Sequence, residues 1–378
     1  MKRDNKAMYI AALILAAVVF SFLTIYAFGE HKEQGFSTSA RSAVLYQPET
    51  NTFLYSKNAD ERLPMASTTK IMTALVAIEN TNPSDIVAID DSAIGVEGSS
   101  AYLKVGDVLT MDELLYALLL QSANDAAIAI ACHVSGDIEC FSALMNEKAQ
   151  ELGLTNTSFT NPHGLDSDEH YTTARELAII ASAALKNERF KEIVSTYKKS
   201  FVSEERSRTY VNHNKLLYLY DGCVGVKTGF TKRSGRCLVG AAEKDGLCFI
   251  SVTLDAPSDW NDHSAMLNFG YERLERVYFA EEYDHVYKIP VIGGESDYIT
   301  VANTEGADVI MKKGENSPEE HIKLVRYAVA PINQGDILGE IIYTIDGKEM
   351  ARLPLVATDS VKKKESGGFL SKIISIFD

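Results

Sequence analysis

Two apolar runs separated by polar residues follow the N-terminal region of the chain. The segment SAVLYQPETNTFLYSKN (42–58) places strand-type residues on both sides of Pro-Glu-Thr-Asn, which predicts a β-hairpin. A helix pattern follows Ser67, with apolar residues at positions i, i+3, i+4 and i+7. These are Ile71, Ala74, Leu75 and Ile78. The folded part of the chain is therefore expected to begin with two strands and a helix.

The middle of the chain is predicted to be helical. Thr110 and Glu113 form a capping-box pattern before the apolar run LLYALLL, which marks a helix start. Thr173 and Glu176 repeat the pattern before LAIIASAAL. Between them, AAIAIACHV (126–134) has almost no polar residues and predicts a buried helix.

Strand patterns return in the second half of the chain. The runs GVKTGF and GRCLVGAAEKDGLCFISVTL are strand-like, and Asp245-Gly246 marks a hairpin turn in the second. Strands on both sides of a helical middle predict an α+β domain over residues 41–278, with helices packed on an antiparallel sheet. Short β-type runs separated by Gly, Pro and Asn then predict a small all-β domain over 283–357.

Both ends of the chain have patterns typical of membrane contact. Residues 1–29 join basic residues to a long apolar run, which predicts an export signal peptide or an N-terminal membrane anchor, followed by a linker over 30–40. Residues 361–378 join a basic linker to FLSKIISIFD, which would form an amphipathic helix. We expect this helix to lie on the membrane surface, the alternative being that it docks on the protein. An exported protein on the extracytoplasmic face of the cell membrane is predicted.

Composition narrows the choice of function. The chain has 378 residues, of which 46% are hydrophobic, so it can bury cores for two domains. Its net charge of −15 and the lack of a basic stripe argue against nucleic-acid binding. The eight histidines have no metal-ligand spacing, and no Cys-x-x-Cys pair occurs, so neither a metal nor another cofactor is predicted.

A Ser-x-x-Lys motif, Ser67 to Lys70, stands at the start of the first predicted helix. A separation of three places both side chains on one helix face. A serine becomes a nucleophile when a neighbouring base takes its proton, and lysine can be that base when its pKa is lowered. Two further matches, at Ser195 and Ser360, lie in polar surroundings and are attributed to chance.

Two more polar motifs follow in the chain. Ser122-Ala-Asn124 lies between two predicted apolar helices, where a loop can direct polar side chains into a cleft. Lys227-Thr228-Gly229 lies in a strand, and Gly229 would let a substrate backbone approach closely. In this order, the three motifs are those of penicillin-binding proteins and class A β-lactamases.

Longer segments make the resemblance closer. NPHGLDSDEHYTTARELA, KTGFTKRSGRCLVGAA and APINQGDILGE resemble the low-molecular-mass D-alanyl-D-alanine carboxypeptidases, which are serine peptidases of the penicillin-binding protein group. The resemblance implies a β-lactamase-like catalytic domain followed by a small all-β domain. It also implies an enzyme that removes the terminal D-alanine from peptidoglycan stem peptides and is acylated by β-lactam antibiotics.

The resemblance assigns roles to the motif residues. Ser67 is implied to be the nucleophile, Lys70 its base, and Ser122 the group that passes the proton to the leaving amine. The backbone N–H groups of Ser67 and Phe230 would form the oxyanion hole. The substrate-binding residues implied are Asn124, Lys227, Thr228, Gly229, Phe230 and Thr231.

Two departures from the family pattern concern the substrate carboxylate, which Thr228 is implied to face. Several members have an arginine before the last helix of the catalytic domain, where this chain has SDWNDHSAM, and some have one where this chain has His213. Recognition of the carboxylate is therefore expected to rest more on Lys227, Thr228 and Thr231.

Two alternatives belong to other functional classes. A class A β-lactamase would need a Glu-x-x-Leu-Asn stretch, which does not occur between Asn124 and Lys227. A catalytically inactive, membrane-tethered peptidoglycan-binding module would have no need of Ser67, Lys70 and Ser122 together.

Overall fold

The structure is a computed structural model that describes residues 36–202 and 207–365. The chain divides into two units, Met1–Ser37 and Thr38–Asp378, and the helices and strands below belong to the second unit. The predicted signal or anchor and the FLSKIISIFD helix lie outside the described residues.

The predicted helical middle is present. The helices are α1 (Lys70–Asn80), α2 (Met111–Leu120), α3 (Asn124–Ser135), α4 (Ile138–Glu151), α5 (Ala174–Leu185), α6 (Glu188–Ser195), α7 (Leu216–Leu219) and α8 (Asp259–Arg273). None of these described helices is long and apolar enough to cross a membrane alone. Together, α3 and α4 pass that test by length and composition, although they are bent by 84°.

Strands precede and follow the helices. Those before residue 255 are β1 (Ser42–Gln47), β2 (Thr52–Lys57), β3 (Ile86–Ala88), β4 (Val108–Thr110), β5 (Lys198–Val202), β6 (Ser207–Val211), β7 (Cys223–Thr231), β8 (Gly235–Lys244) and β9 (Leu247–Leu254). The later strands are β10 (Leu274–Ala280), β11 (Val286–Ile292), β12 (Tyr298–Ala302), β13 (Ala307–Lys312), β14 (Glu319–Leu324), β15 (Ala328–Val329), β16 (Ile337–Ile345) and β17 (Lys348–Ala357).

The main sheet is antiparallel and has the order β2-β1-β9-β8-β7. Helices α5, α6 and α8 pack on it, so the predicted α+β class is confirmed. Asp245 and Gly246 both have positive φ, 53° and 73°, and form the predicted turn between β8 and β9. Strand β7 lies at the edge of the sheet, which leaves its outer backbone groups without a strand partner in this sheet.

The two predicted capping boxes differ in the structure. At α2 both hydrogen bonds form, since the Thr110 hydroxyl accepts from the Glu113 N–H and the Glu113 carboxylate accepts from the Thr110 N–H. At α5 the Thr173 hydroxyl accepts from the Glu176 N–H, but the Glu176 carboxylate accepts from the N–H groups of residues 155 and 156 instead. The second capping box is therefore half formed.

The later strands form a part of the molecule with its own apolar core. Six of them form a sheet in the order β14-β16-β17-β12-β11-β15, while β10 pairs with β13. The expected end of the catalytic domain, residue 278, falls within β10. Because β10 pairs with β13 and with no strand of the main sheet in the described structure, we propose that the boundary lies before Leu274.

Candidate active site

Ser67 lies in a 3-10 turn, Ala66–Thr69, directly before α1. The Thr69 hydroxyl donates to the Ala66 carbonyl oxygen at 2.8 Å and lies 2.8 Å from Nε2 of His170. Because Nδ1 of His170 accepts from the Thr160 N–H, Nε2 carries the ring hydrogen and donates it to Thr69. Burial lowers the pKa of His170 to about 4, so this histidine is neutral at pH 7. A neutral histidine therefore holds the turn that carries Ser67.

Lys70 is fully buried, with its Nζ 3.0 Å from the Ser67 Oγ. The same Nζ donates to Asn124 Oδ1 at 2.7 Å and to the His163 carbonyl oxygen at 2.6 Å. Asn124 Nδ2 donates to the Glu97 carbonyl, which orients the amide oxygen toward Lys70. Both oxygens can only accept, so a neutral amine would use its two hydrogens on them. Its lone pair would then face the Ser67 hydroxyl.

The surroundings favour the neutral form of Lys70. Burial lowers its pKa well below the usual value for lysine, and the charge of Lys227 lowers it further, while Asp125 has the opposite effect. Lys227 is also buried, and burial lowers its pKa to about 7. Its Nζ donates to the Thr228 carbonyl oxygen at 3.0 Å. Lys70 is therefore suited to accept a proton from Ser67 at neutral pH.

Ser122 lies between α2 and α3, as the sequence predicts. Its φ of 61° is uncommon for a residue other than glycine, and its side chain is buried. At the start of α3, the Asp125 carboxylate accepts from the Ala101 N–H at 3.0 Å and the Leu103 N–H at 3.1 Å. This carboxylate attaches the loop between β3 and β4 to the helix that begins at Asn124.

Gly229 allows strand β7 to lie against the Ser67 turn. A Cβ atom at this position would be 3.0 Å from the Ser67 backbone nitrogen and 3.1 Å from the Met65 carbonyl oxygen. Backbone atoms cannot move aside as a flexible side chain can, so a side chain here would push the strand away. The close packing brings Thr228 and Phe230 beside Ser67, and all three line one cavity.

This cavity has a volume of about 380 Å³ and lies where the three motifs meet. Five predicted residues line it: Ser67, Ser122, Thr228, Gly229 and Phe230. Lys70, Asn124 and Lys227 do not line it, and each is at least 95% buried. The structure thus gathers the three motifs around one cavity.

Thr231 is placed differently. Its Oγ1 donates to Asp166 Oδ1 at 3.0 Å and lies 2.9 Å from the Ser234 Oγ. It is not among the residues that line the cavity. In this structure its hydroxyl connects the β7–β8 turn to the loop that contains Asp166.

Several residues at the site were not singled out in the sequence as candidates. The His163 carbonyl oxygen binds Lys70 and the His170 ring binds Thr69, but neither histidine belongs to one of the three motifs. Arg236, Asp259 and Trp260 line the cavity. One feature of the sequence points to Arg236, since it is a charged residue directly before the apolar run of β8.

The fold and the site together define a class of protein. The helices pack on an antiparallel sheet, a serine lies at the start of a helix, and a buried lysine lies beside its hydroxyl. These features are those of the serine hydrolases that form an acyl-enzyme, a class that includes penicillin-binding proteins and β-lactamases.

Comparisons with known proteins narrow the class. A family model described as D-alanyl-D-alanine carboxypeptidase matches residues 29–258, and one described as penicillin-binding protein 5, C-terminal domain, matches residues 275–363. D-alanyl-D-alanine carboxypeptidase DacF from Bacillus subtilis is 36% identical, over 90% of this chain and 91% of that protein. DacC from Escherichia coli is 30% identical, over 95% of this chain and 92% of that protein.

Solved structures of similar proteins point to the same family. Penicillin binding protein 5 from Haemophilus influenzae superposes with a TM-score of 0.64 at 28% identity, covering 87% of this chain and 99% of that one. The Streptomyces K15 DD-transpeptidase superposes with a TM-score of 0.60 at 35% identity, covering 63% and 99%. The chain belongs to the D-alanyl-D-alanine carboxypeptidase family and is a serine hydrolase of the penicillin-binding class. The β-lactamase and binding-module alternatives are not favoured.

Proposed function

We propose that this enzyme removes the terminal D-alanine from peptidoglycan pentapeptide stems through an acyl-enzyme on Ser67. The observation that carries the proposal is the geometry of Lys70, whose Nζ lies 3.0 Å from the Ser67 Oγ and donates to two oxygens that can only accept. The carboxypeptidase names of its relatives support the choice of substrate.

In the proposed acylation, Lys70 takes the proton of the Ser67 hydroxyl while Oγ attacks the carbonyl carbon between the two D-alanines. The backbone N–H groups of Ser67 and Phe230 stabilise the oxyanion. Ser122 relays this proton from Lys70 to the leaving amine, so that D-alanine departs with a neutral amine, Lys70 is neutral again and Ser67 holds the peptide as an ester. A water molecule, deprotonated by Lys70, then hydrolyses the ester and restores the serine.

The other predicted residues have supporting roles in this proposal. Thr228 offers its hydroxyl to the substrate carboxylate, and Lys227 keeps the pKa of Lys70 low. The resemblance implies that Asn124 binds the substrate. Because its amide already binds Lys70 and the Glu97 carbonyl, we infer that it also orients the base. Thr231 supports the site by holding the β7–β8 turn.

The test of this function is labelling with a fluorescent penicillin, followed by a D-alanine release assay on a pentapeptide. We expect Ser67→Ala to abolish both labelling and release, because the ester forms on the Ser67 hydroxyl, which lies beside Lys70. Ser195→Ala, in the motif attributed to chance, should leave both unchanged. A Ser67→Ala variant that still labels would exclude this nucleophile. Rapid hydrolysis of a chromogenic β-lactam without D-alanine release would indicate a lactamase instead.

We also propose that the enzyme is exported and acts on the cell-wall side of the membrane. Residues 1–29 and 361–378 would provide export and attachment, because both combine basic and apolar residues. Protease added to intact protoplasts should then digest the membrane-associated enzyme. Full protection would place it on the cytoplasmic side and contradict the proposal.

A further inference from the structure

Arg236 lies on the same face of the main sheet as Thr228. In the antiparallel pair of β7 and β8, Phe230 is opposite Arg236 and Thr228 is opposite Leu238. Opposite residues share a face, as do alternate residues of one strand. Arg236 and Thr228 therefore point to the same side, and both line the cavity that contains Ser67.

The guanidinium of Arg236 is held from one side. Its Nε donates to Asp259 Oδ2 at 3.0 Å, and its Nη2 lies 2.9 Å from the same oxygen. Asp259 begins α8, and its side chain is only 4% exposed, whereas that of Arg236 is 44% exposed. The Trp260 ring lies 5.8 Å from the guanidinium carbon. Within the described residues, Nη1 of Arg236 forms no hydrogen bond, so this side of the group is available to a ligand.

The other basic groups of the cavity are less suited to bind an anion. Burial and the charge of Lys227 lower the pKa of His213, which favours its neutral form at pH 7. Lys215 is exposed, and no hydrogen bond or ion pair holds its side chain in the described structure, while Lys227 does not line the cavity. Among the described residues that line the cavity, Arg236 is thus the cation that is both held by a carboxylate and open to the cavity.

We propose that Arg236 recognises the terminal carboxylate of the substrate, together with the Thr228 hydroxyl, and that Asp259 positions the guanidinium. The inference rests on the proposed carboxypeptidase function. It also explains how this chain manages without an arginine in SDWNDHSAM. The same segment supplies Asp259 instead, and Asp259 fixes an arginine that comes from β8. Arginine is suited to this role because its planar group forms paired hydrogen bonds with a carboxylate.

The experiment compares two substrates, a peptide that ends in D-Ala-D-Ala and the same peptide with its terminal carboxylate converted to a carboxamide. For the wild type, we expect kcat/KM to be about 10- to 100-fold higher for the acid, because only its carboxylate forms charged hydrogen bonds with Arg236. In Arg236→Gln the acid should lose this advantage, so that the acid-to-amide ratio approaches one. The loss should appear mainly in KM.

Arg233→Gln is the matched control. Arg233 lies on the same β7–β8 hairpin and pairs with a carboxylate, Asp168, at 2.8 Å, but it does not line the cavity. It should keep the wild-type ratio. An Arg236→Gln variant that also keeps the wild-type ratio would overturn the inference. A wild type that releases no D-alanine from the acid would instead overturn the proposed function.

Loss of Arg236 leaves the buried Asp259 without its cation, so the variant could unfold. Thermal melting of each variant therefore accompanies the kinetics. Arg236→Lys, which keeps the charge but not the paired hydrogen bonds, should have an intermediate ratio. Asp259→Asn leaves Arg236 in the chain but removes the carboxylate that positions its guanidinium, so this variant should also have a lower ratio. Wild-type ratios in both of these variants would contradict the inference.

Discussion

Burial decides the chemistry of Lys70. An exposed lysine is a cation at neutral pH and cannot take a proton. Here the side chain has no exposed surface, and its contacts are an amide oxygen, a peptide oxygen and the Ser67 hydroxyl. No carboxylate hydrogen-bonds to it in the described structure, so the charged form has little to offset its desolvation.

At the same scale, Lys227 is expected to lower the pKa of Lys70, the proposed base. Its pKa is about 7, so below that pH it is mostly protonated, and its charge lowers the pKa of Lys70. Lys227→Gln removes this charge, so the pKa of Lys70 should rise. Acylation needs neutral Lys70. The acid limb of the pH profile of the penicillin acylation rate should therefore move to higher pH. Stopped-flow measurements over a pH series would measure the shift.

Lys244→Gln, on the surface of β8, serves as the control and should leave the acid limb in place. An unmoved limb in Lys227→Gln would mean that Lys227 does not affect the pKa of the base.

At the scale of elements, the site depends on the segment between α4 and α5. This segment supplies the His163 carbonyl oxygen to Lys70 and the His170 ring to Thr69. Gly164 lies within it with φ of 91°, and a Cβ there would be 2.0 Å from the Ala66 carbonyl oxygen. The segment is therefore packed directly on the Ser67 turn, and only glycine permits that approach.

Glu176 fastens the start of this segment to α5. Its carboxylate is buried and accepts from the N–H groups of Thr155 and Asn156 and from the Thr157 hydroxyl. Glu176→Gln replaces one acceptor oxygen by an amide donor, so two donors would face each other. We expect the free energy of unfolding to fall by about 1.5–3 kcal/mol, the usual value of a hydrogen bond to a charged group. Urea denaturation would measure it.

Glu188→Gln, in the exposed first turn of α6, is the matched change and should alter stability by less than about 0.5 kcal/mol. Equal stabilities of the two variants would show that the Glu176 contacts contribute little.

At the scale of the whole molecule, the residues of the site and the later strands belong to different cores. Every residue assigned a role here lies between Ser67 and Trp260, whereas later strands, among them β11, β12, β16 and β17, supply a separate apolar cluster. The Streptomyces structure is matched over 99% of its length by only 63% of this chain. We therefore expect that acylation by penicillin does not require the later strands.

A chain that ends at Arg273 is therefore expected to keep its reaction with penicillin. It loses β10 to β17 but keeps α8 and the whole main sheet. Its rate constant for labelling by fluorescent penicillin should stay within about threefold of the full chain, a change of less than about 1 kcal/mol in the barrier. A folded truncated chain, checked by circular dichroism, that no longer labels would show that the later strands shape the site.

The sequence predicted much of this molecule because the relevant patterns are local. The β1–β2 hairpin, the start of α2 and the turn at Asp245-Gly246 follow from residues only a few positions apart. The resemblance to the carboxypeptidases rests on short motifs in order, and the comparisons confirm it.

The half-formed capping box at α5 shows where local patterns are insufficient. Thr173 and Glu176 have the right spacing, yet the Glu176 carboxylate binds a segment some twenty residues earlier in the chain. Thr231 is a similar case, since its hydroxyl binds Asp166, 65 positions away. In both cases the side chain forms hydrogen bonds with residues that are distant in the sequence, and a local pattern cannot show such partners.

The sequence by itself determined which groups could do the chemistry, a serine hydroxyl one helical turn from an amine, because residue type and spacing are properties of the chain. Only the tertiary structure decided that the amine is buried and held by Asn124 and His163, which lie 54 and 93 positions away. It alone also brought Arg236 to Asp259. A pKa and a fixed charge depend on surroundings that distant segments create, and those surroundings exist only after folding.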